Sequence, residues 1–151
     1  MVGHFIFDFS EVITMLSIQV KDYMNHYPVT FTSEMVVEEA ALRFLKTKQI
    51  GGPVIDGNNR VIGFLSESDV LATMLQTIYH NEHVSDVAAL MRKEVLSVKP
   101  SDSVIELAQS MLQNKPKVYP VVDEDGILLG TICRNDVLYG IDQYTRSTFK
   151  P

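Results

Sequence analysis

The sequence predicts an α+β fold in which two β-α-β-β-α repeats pack as a pseudo-twofold, α/β sandwich-like unit. Two observations predict it. Residues 20–71 map onto residues 87–138 without a gap, at a constant offset of 67 positions. Within each copy, helical and strand-like patterns follow one another in the same order. Size adds a third reason. A copy of about 60 residues buries too little apolar surface to be comfortable alone, so the halves should pack sheet against sheet, with two related clefts at the seam.

The shared positions are mostly apolar or turn-forming. Met24 falls on Met91, Val37 on Val104, Ala41 on Ala108 and Leu45 on Leu112. Pro53-Val54 falls on Pro120-Val121, and Asp69-Val70-Leu71 on Asp136-Val137-Leu138. Each copy opens with a short apolar segment, Val20, Tyr23 and Met24 or Val87, Leu90 and Met91. Brief strands are expected near 29–31 and 96–98. An amphipathic helix follows, with Val37, Ala41 and Leu45 on one face, and Val104, Ala108, Met111 and Leu112 in copy two. Ser33 and Ser101 stand where N-caps belong.

Two strands come next, flanking Asp56-Gly57-Asn58-Asn59 in copy one and Asp123-Glu124-Asp125-Gly126 in copy two. Asp, Asn and Gly supply the positive φ that tight turns require. A second helix closes each copy, with Val70, Leu71, Met74, Leu75 and Ile78, then Val137, Leu138 and Ile141, as its apolar face. The polar run 79–83 reads as a linker. The expected division is an N-terminal extension over 1–17, domains over 18–78 and 84–144, and a tail over 145–151. The chain repeats only from about residue 18, and initiation at Met15 would be compatible with the repeat.

Composition narrows the function classes. The chain has 151 residues, 46% of them hydrophobic, and a net charge of −6. That balance argues against a protein built to coat nucleic acid or an anionic membrane. Cys133 is the single cysteine, so no intrachain disulfide can form. No apolar run approaches the roughly 20 residues of a membrane helix. Asp8 and Glu11 interrupt the apolar start, which makes a poor signal peptide. A cytoplasmic protein is expected.

The string Gly63-Phe64-Leu65-Ser66-Glu67-Ser68-Asp69-Val70-Leu71, with Pro53-Val54 upstream, resembles the CBS (cystathionine beta-synthase) domain family. The pattern recurs around Pro120-Val121 and Asp136, so the resemblance is to a stand-alone CBS pair, or Bateman module, over residues 18–144. The resemblance implies an adenosyl ligand in the seam clefts: AMP, ADP or ATP, with S-adenosylmethionine as a further candidate. It also implies a homodimer and an effector protein as output partner. In that scheme the Asp accepts from the ribose hydroxyls and the Ser or Thr three residues earlier holds phosphate at a helix N-terminus. Backbone near the Pro-Val strand and a hydroxyl residue on the first strand frame the adenine. A carboxylate can accept from two hydroxyls at once, and a helix N-terminus is a ready anion site.

The candidate ligand-binding positions are Thr30, Gly52, Pro53, Val54, Ser66 and Asp69 in copy one, all but Gly52 matching the family pattern. In copy two they are Ser97, Lys117, Tyr119, Pro120, Val121, Cys133, Arg134 and Asp136, of which Ser97, Pro120, Val121 and Asp136 match. The two sets differ. Copy one keeps the Ser66 hydroxyl but places Glu67 beside the expected phosphate. Copy two has a thiol, Cys133, at the hydroxyl position, but Arg134 and Lys117 supply cations. Tyr119 could stack on a base or cover the core edge. Ser66 and Asp69 also read simply as a helix-capping box.

Other signals carry less. His80, Glu82, His83 and Asp86 are loosely spaced on the linker, and no metal site is expected. There is no Walker loop, Rossmann glycine string or nucleophile triad order. An enzyme is not expected, and no cofactor. Met24, Met35, Met74, Met91 and Met111 fall at core spacing, with Met74 an alternative dimer-face residue. The leading expectation is a regulatory sensor that binds an adenosyl ligand and signals by conformational change. The alternative is a ligand-free dimerisation module on the same fold.

Overall fold

The computed structural model describes residues 18–81, 86–113 and 115–149. Copy one contributes helix α1 (Val37–Thr47), strands β1 (Gly51–Ile55) and β2 (Val61–Ser66), and helix α2 (Glu67–His80). Copy two repeats the order with α3 (Val104–Met111), β3 (Val118–Val122), β4 (Leu128–Cys133) and α4 (Arg134–Thr148). A 3-10 turn precedes each set, at Val20–Asp22 and Val87–Ala89.

Each β-pair is an antiparallel hairpin, Gly51 opposite Ser66 in one and Val118 opposite Cys133 in the other. The turns are built alike. The Asp56 Oδ1 accepts from the Asn58 and Arg60 N–H groups at 2.8 and 3.0 Å. The Asp123 Oδ1 accepts from Asp125 and Ile127 at 2.9 and 3.0 Å. The positive φ falls at the same place in both, Asn59 at 62° and Gly126 at 80°.

Three details differ from expectation. The first strands shrink to single parallel bridges, Phe31 with Val54 and Val98 with Val121. Each is held by two hydrogen bonds, after which the chain turns away. Ser33 and Ser101 do not cap. Val36 occupies the N-cap of α1 without a side-chain bond, and Ser103 caps α3 by accepting from the Glu106 N–H at 3.3 Å. Helix entry is delayed because Met35 must first bury its side chain and accept from Val87 N–H at 2.8 Å. The core stripes are also offset. Val37, Ala40 and Phe44 are buried in α1, and Val104, Leu107 and Met111 in α3, while Leu45 and Leu112 lie open at 75% and 82% exposure.

The copies exchange their leading segments. Ile18, Val20 and Met24 pack in the core of copy two, with Val104, Leu107, Tyr119, Ile132 and Val137. Val87, Leu90 and Met91 pack in the core of copy one, with Phe31, Phe44, Val54 and Leu65. Backbone pairs fix both exchanges. Asn25 and Thr131 bond reciprocally at 2.7 and 3.0 Å, and Arg92 and Phe64 do so at 2.9 Å each way. Glycine is needed where these segments press on the hairpins. A Cβ on Gly63 would lie 2.6 Å from the Met91 sulfur, and one on Gly130 would collide with the Asn25 carbonyl. Near the pseudo-twofold, Arg60 bridges Ile127, with Val61 N–H donating to Gly126 and Leu128 N–H to Asn59.

Candidate functional site

Helix α4 starts where β4 ends, and the turn between them places Cys133, Arg134 and Asp136 at the seam. The Asp136 Oδ2 accepts from the Cys133 N–H at 2.9 Å, which fixes the carboxylate beside the helix N-terminus. Opposite stands the copy-one segment Lys48-Gln49-Ile50-Gly51. It is presented by the end of α1, where Lys48 takes a left-handed conformation with φ of 57°. The resulting cleft has a volume of about 1010 Å³ and is lined from both copies. That is at the upper end of small-molecule pockets, roughly 300–1,000 Å³.

The cleft wall is mostly apolar, with Ile50, Met111, Val118, Val137 and Ile141. Its charged groups are Lys48, Lys117 and Arg134 against Asp136. Three cations and one anion, beside a helix N-terminus, suit an anionic group. Burial pushes the Cys133 thiol pKa up, so it stands protonated at neutral pH, although bonding within the turn partly opposes this. A thiol is a weaker hydrogen-bond partner than a hydroxyl.

Copy one builds the same turn with a hydroxyl. The Ser66 Oγ accepts from Asp69 N–H at 3.1 Å, and the Asp69 Oδ2 accepts from Ser66 N–H at 3.3 Å. The capping box read from the sequence is therefore formed. Arg92, from the exchanged segment of copy two, brings its Nε to 3.9 Å from the Asp69 Oδ2. Its counterpart in the Asp136 cleft is the uncharged Asn25.

Of the residues singled out in the sequence, Lys117, Cys133, Arg134 and Asp136 meet in one cleft. Ser66 and Asp69 meet at the pseudo-equivalent turn. Pro53, Val54, Pro120 and Val121 lie fully buried instead, and the Pro53 and Pro120 carbonyls already accept from Phe31 and Val98. They shape the sheet and do not line the large cleft. The same holds for buried Gly52 and for Thr30, whose carbonyl accepts from Arg43 at 2.7 Å. Ser97 and Tyr119 line a smaller, separate cavity. Tyr119 is only 4% exposed, so its ring covers core and does not stack in the seam. The sequence reading missed Asn25, Lys48, Gln49, Ile50 and Arg92. Asn25 and Arg92 come to the turns through the exchange, and Lys48 to Ile50 through the packing of copy one against the copy-two turn, neither of which a local pattern records. No group of metal-ligating side chains occurs among the described residues, and Glu82 and His83 of the linker lie outside them. No helix among the described residues is long and apolar enough to cross a membrane.

Comparison with known proteins defines the class of this architecture. The CBS domain model matches residues 20–76 and 84–142, and the chain belongs to the CBS domain family. The chain is similar to the uncharacterized protein MJ1225 of Methanocaldococcus jannaschii, 30% identical over 120 residues, which cover 79% of this chain and 41% of that protein. The chain thus spans less than half of that relative. It is also similar to the crystal structure of CBSX2 in complex with AMP, at 30% identity and a TM-score of 0.74, over 85% of this chain and 98% of that one. CBSX2 is a protein of Arabidopsis thaliana. The CBS domain pair of MJ0100 shares the fold at 21% identity and a TM-score of 0.73, over 83% and 97% of the two chains.

Proposed function

We propose that this chain is a regulatory module that binds an adenine nucleotide in the seam cleft of its CBS pair and passes the signal to a partner protein. The carrying observation is the cleft of about 1010 Å³, which Asp136 lines together with three cations drawn from both halves. An apolar wall accepts a base, a fixed carboxylate accepts from ribose hydroxyls, and the cations with the α4 N-terminus hold phosphate. The similarity to an AMP-bound CBSX2 supports that ligand class. A ligand touching both halves stabilises the arrangement in which they close on it, which is the physical basis of a signal. The reading involves no turnover, and a reducing compartment such as the cytoplasm suits the lone thiol.

Calorimetric titration with AMP, ADP, ATP and S-adenosylmethionine tests it. Saturable binding of a nucleotide is expected, weakened at least about tenfold in Asp136→Ala. The thermal transition of that variant checks that loss of the α4 cap has not unfolded it. No saturable binding of any of the four to the folded chain would sink the reading. A second reading, a dimerisation module, is favoured by the open apolar face of α2, where Leu71 and Ile78 are 62% and 75% exposed.

A further inference from the structure

The two copies differ at the position of Arg43, away from the seam. In copy one, Arg43 of α1 lays its guanidinium across the end of the 29–31 segment. Its Nη1 donates to the Thr30 carbonyl at 2.7 Å, and its Nη2 lies 3.4 Å from the Glu39 carboxylate. In copy two the acceptors are preserved. Ser97 stands for Thr30 and Glu106 for Glu39. The donor is gone, because Ser110 stands for Arg43. No described hydrogen bond reaches the Ser97 carbonyl.

A cavity of about 340 Å³ opens there, lined by Ser97, Asp102, Glu106, Ser110, Lys115 and Tyr119 among others. It shares no lining residue with the seam cleft. Tyr119 is 4% exposed, and its buried hydroxyl has no hydrogen-bond partner among the described residues. The cavity is several times the roughly 30 Å³ share of one water. Its charged lining is Asp102 and Glu106 against Lys115, an excess of one negative charge. Asp102 accepts from the Lys99 N–H at 2.8 Å, while no described hydrogen bond or ion pair engages the Glu106 carboxylate.

We propose that this cavity binds a small guanidinium-bearing molecule, whose planar donors take the place that Arg43 fills in copy one. One planar guanidinium can donate to a carbonyl and a carboxylate at once, as Arg43 does to Thr30 and Glu39 in copy one, which an ammonium does less well. The site goes beyond the nucleotide reading and does not depend on it.

Nuclear magnetic resonance titration of the full chain with agmatine tests it, with 1,4-diaminobutane as the ammonium control of equal charge. Saturable shifts at Leu107, Ser110 and Tyr119 are expected with agmatine, about tenfold tighter than with the diamine. Ser110→Arg supplies the missing guanidinium from within and should abolish the binding. Glu106→Gln, at an exposed position, should weaken it about tenfold and keeps the test decisive if Ser110→Arg does not fold. Absence of saturable shifts, equal binding of the diamine, or undiminished agmatine binding in Glu106→Gln would overturn the proposal.

Discussion

Single side chains decide the hairpin turns. Asp56 and Asp123 were legible in the sequence because a carboxylate that bonds its own backbone two residues on is a local event. The Arg60 and Asn58 N–H groups hold the Asp56 carboxyl below its ordinary value. The stabilisation is complete above the ordinary carboxylate range, near pH 4, and is lost as pH falls through the lower folded value. Asp56→Asn should therefore flatten the acid limb of the stability curve and lower Tm at neutral pH by about 2–4 °C. Thermal unfolding between about pH 2 and 7 measures both. Cys133 was legible as a departure from the hydroxyl pattern, but its protonated state follows from burial, which no sequence prints.

At the scale of the element, the helices and hairpins were readable and their buried faces only partly so. Leu45 and Leu112 matched the helical period yet point away from the core, because Ala40 with Phe44, and Leu107, take the inward stripe. A period identifies an amphipathic helix, while the neighbouring hairpin selects which flank of the stripe is covered. The glycines show the same division. Gly57, Gly63 and Gly130 look alike in sequence. A Cβ on Gly57 meets nothing within 4 Å, whereas one on Gly130 meets the Asn25 carbonyl and Met24. Gly130→Ala should destabilise the protein by about 1–3 kcal/mol, and Gly57→Ala should stay within about 0.5 kcal/mol. Urea denaturation of both variants checks the contrast, and equal costs would refute the close approach of the exchanged segment.

For the whole molecule, the open face of α2 gathers Leu71, Met74, Leu75 and Ile78, at 40–75% exposure. In α4, Leu138 and Tyr139 are exposed at 66% and 59%. Apolar surface on this scale marks an interface more often than bare solvent contact. A homodimer covering these faces is the expected assembly. Leu71→Lys with Ile78→Lys should shift sedimentation from dimer to monomer while the near-native circular dichroism signal is retained. A wild-type chain that sediments as a monomer at all concentrations would refute it. Should the dimer form, binding in the seam and assembly through the helices are linked by mass action, since a ligand that prefers the dimer also stabilises it.

By itself the sequence determined the duplication, the order of elements, the turn chemistry and the two Asp positions, because each depends on residues close together in the chain. Only the tertiary structure decided which residues meet. The leading segments cross to the opposite core, so Arg92 reaches Asp69 and Asn25 enters the Asp136 cleft, while seam packing brings Lys48 to Gly51 to the same cleft. Such pairings are set by the burial of Val20 and Val87 at a distance, and a local pattern holds no record of which half supplies the cover.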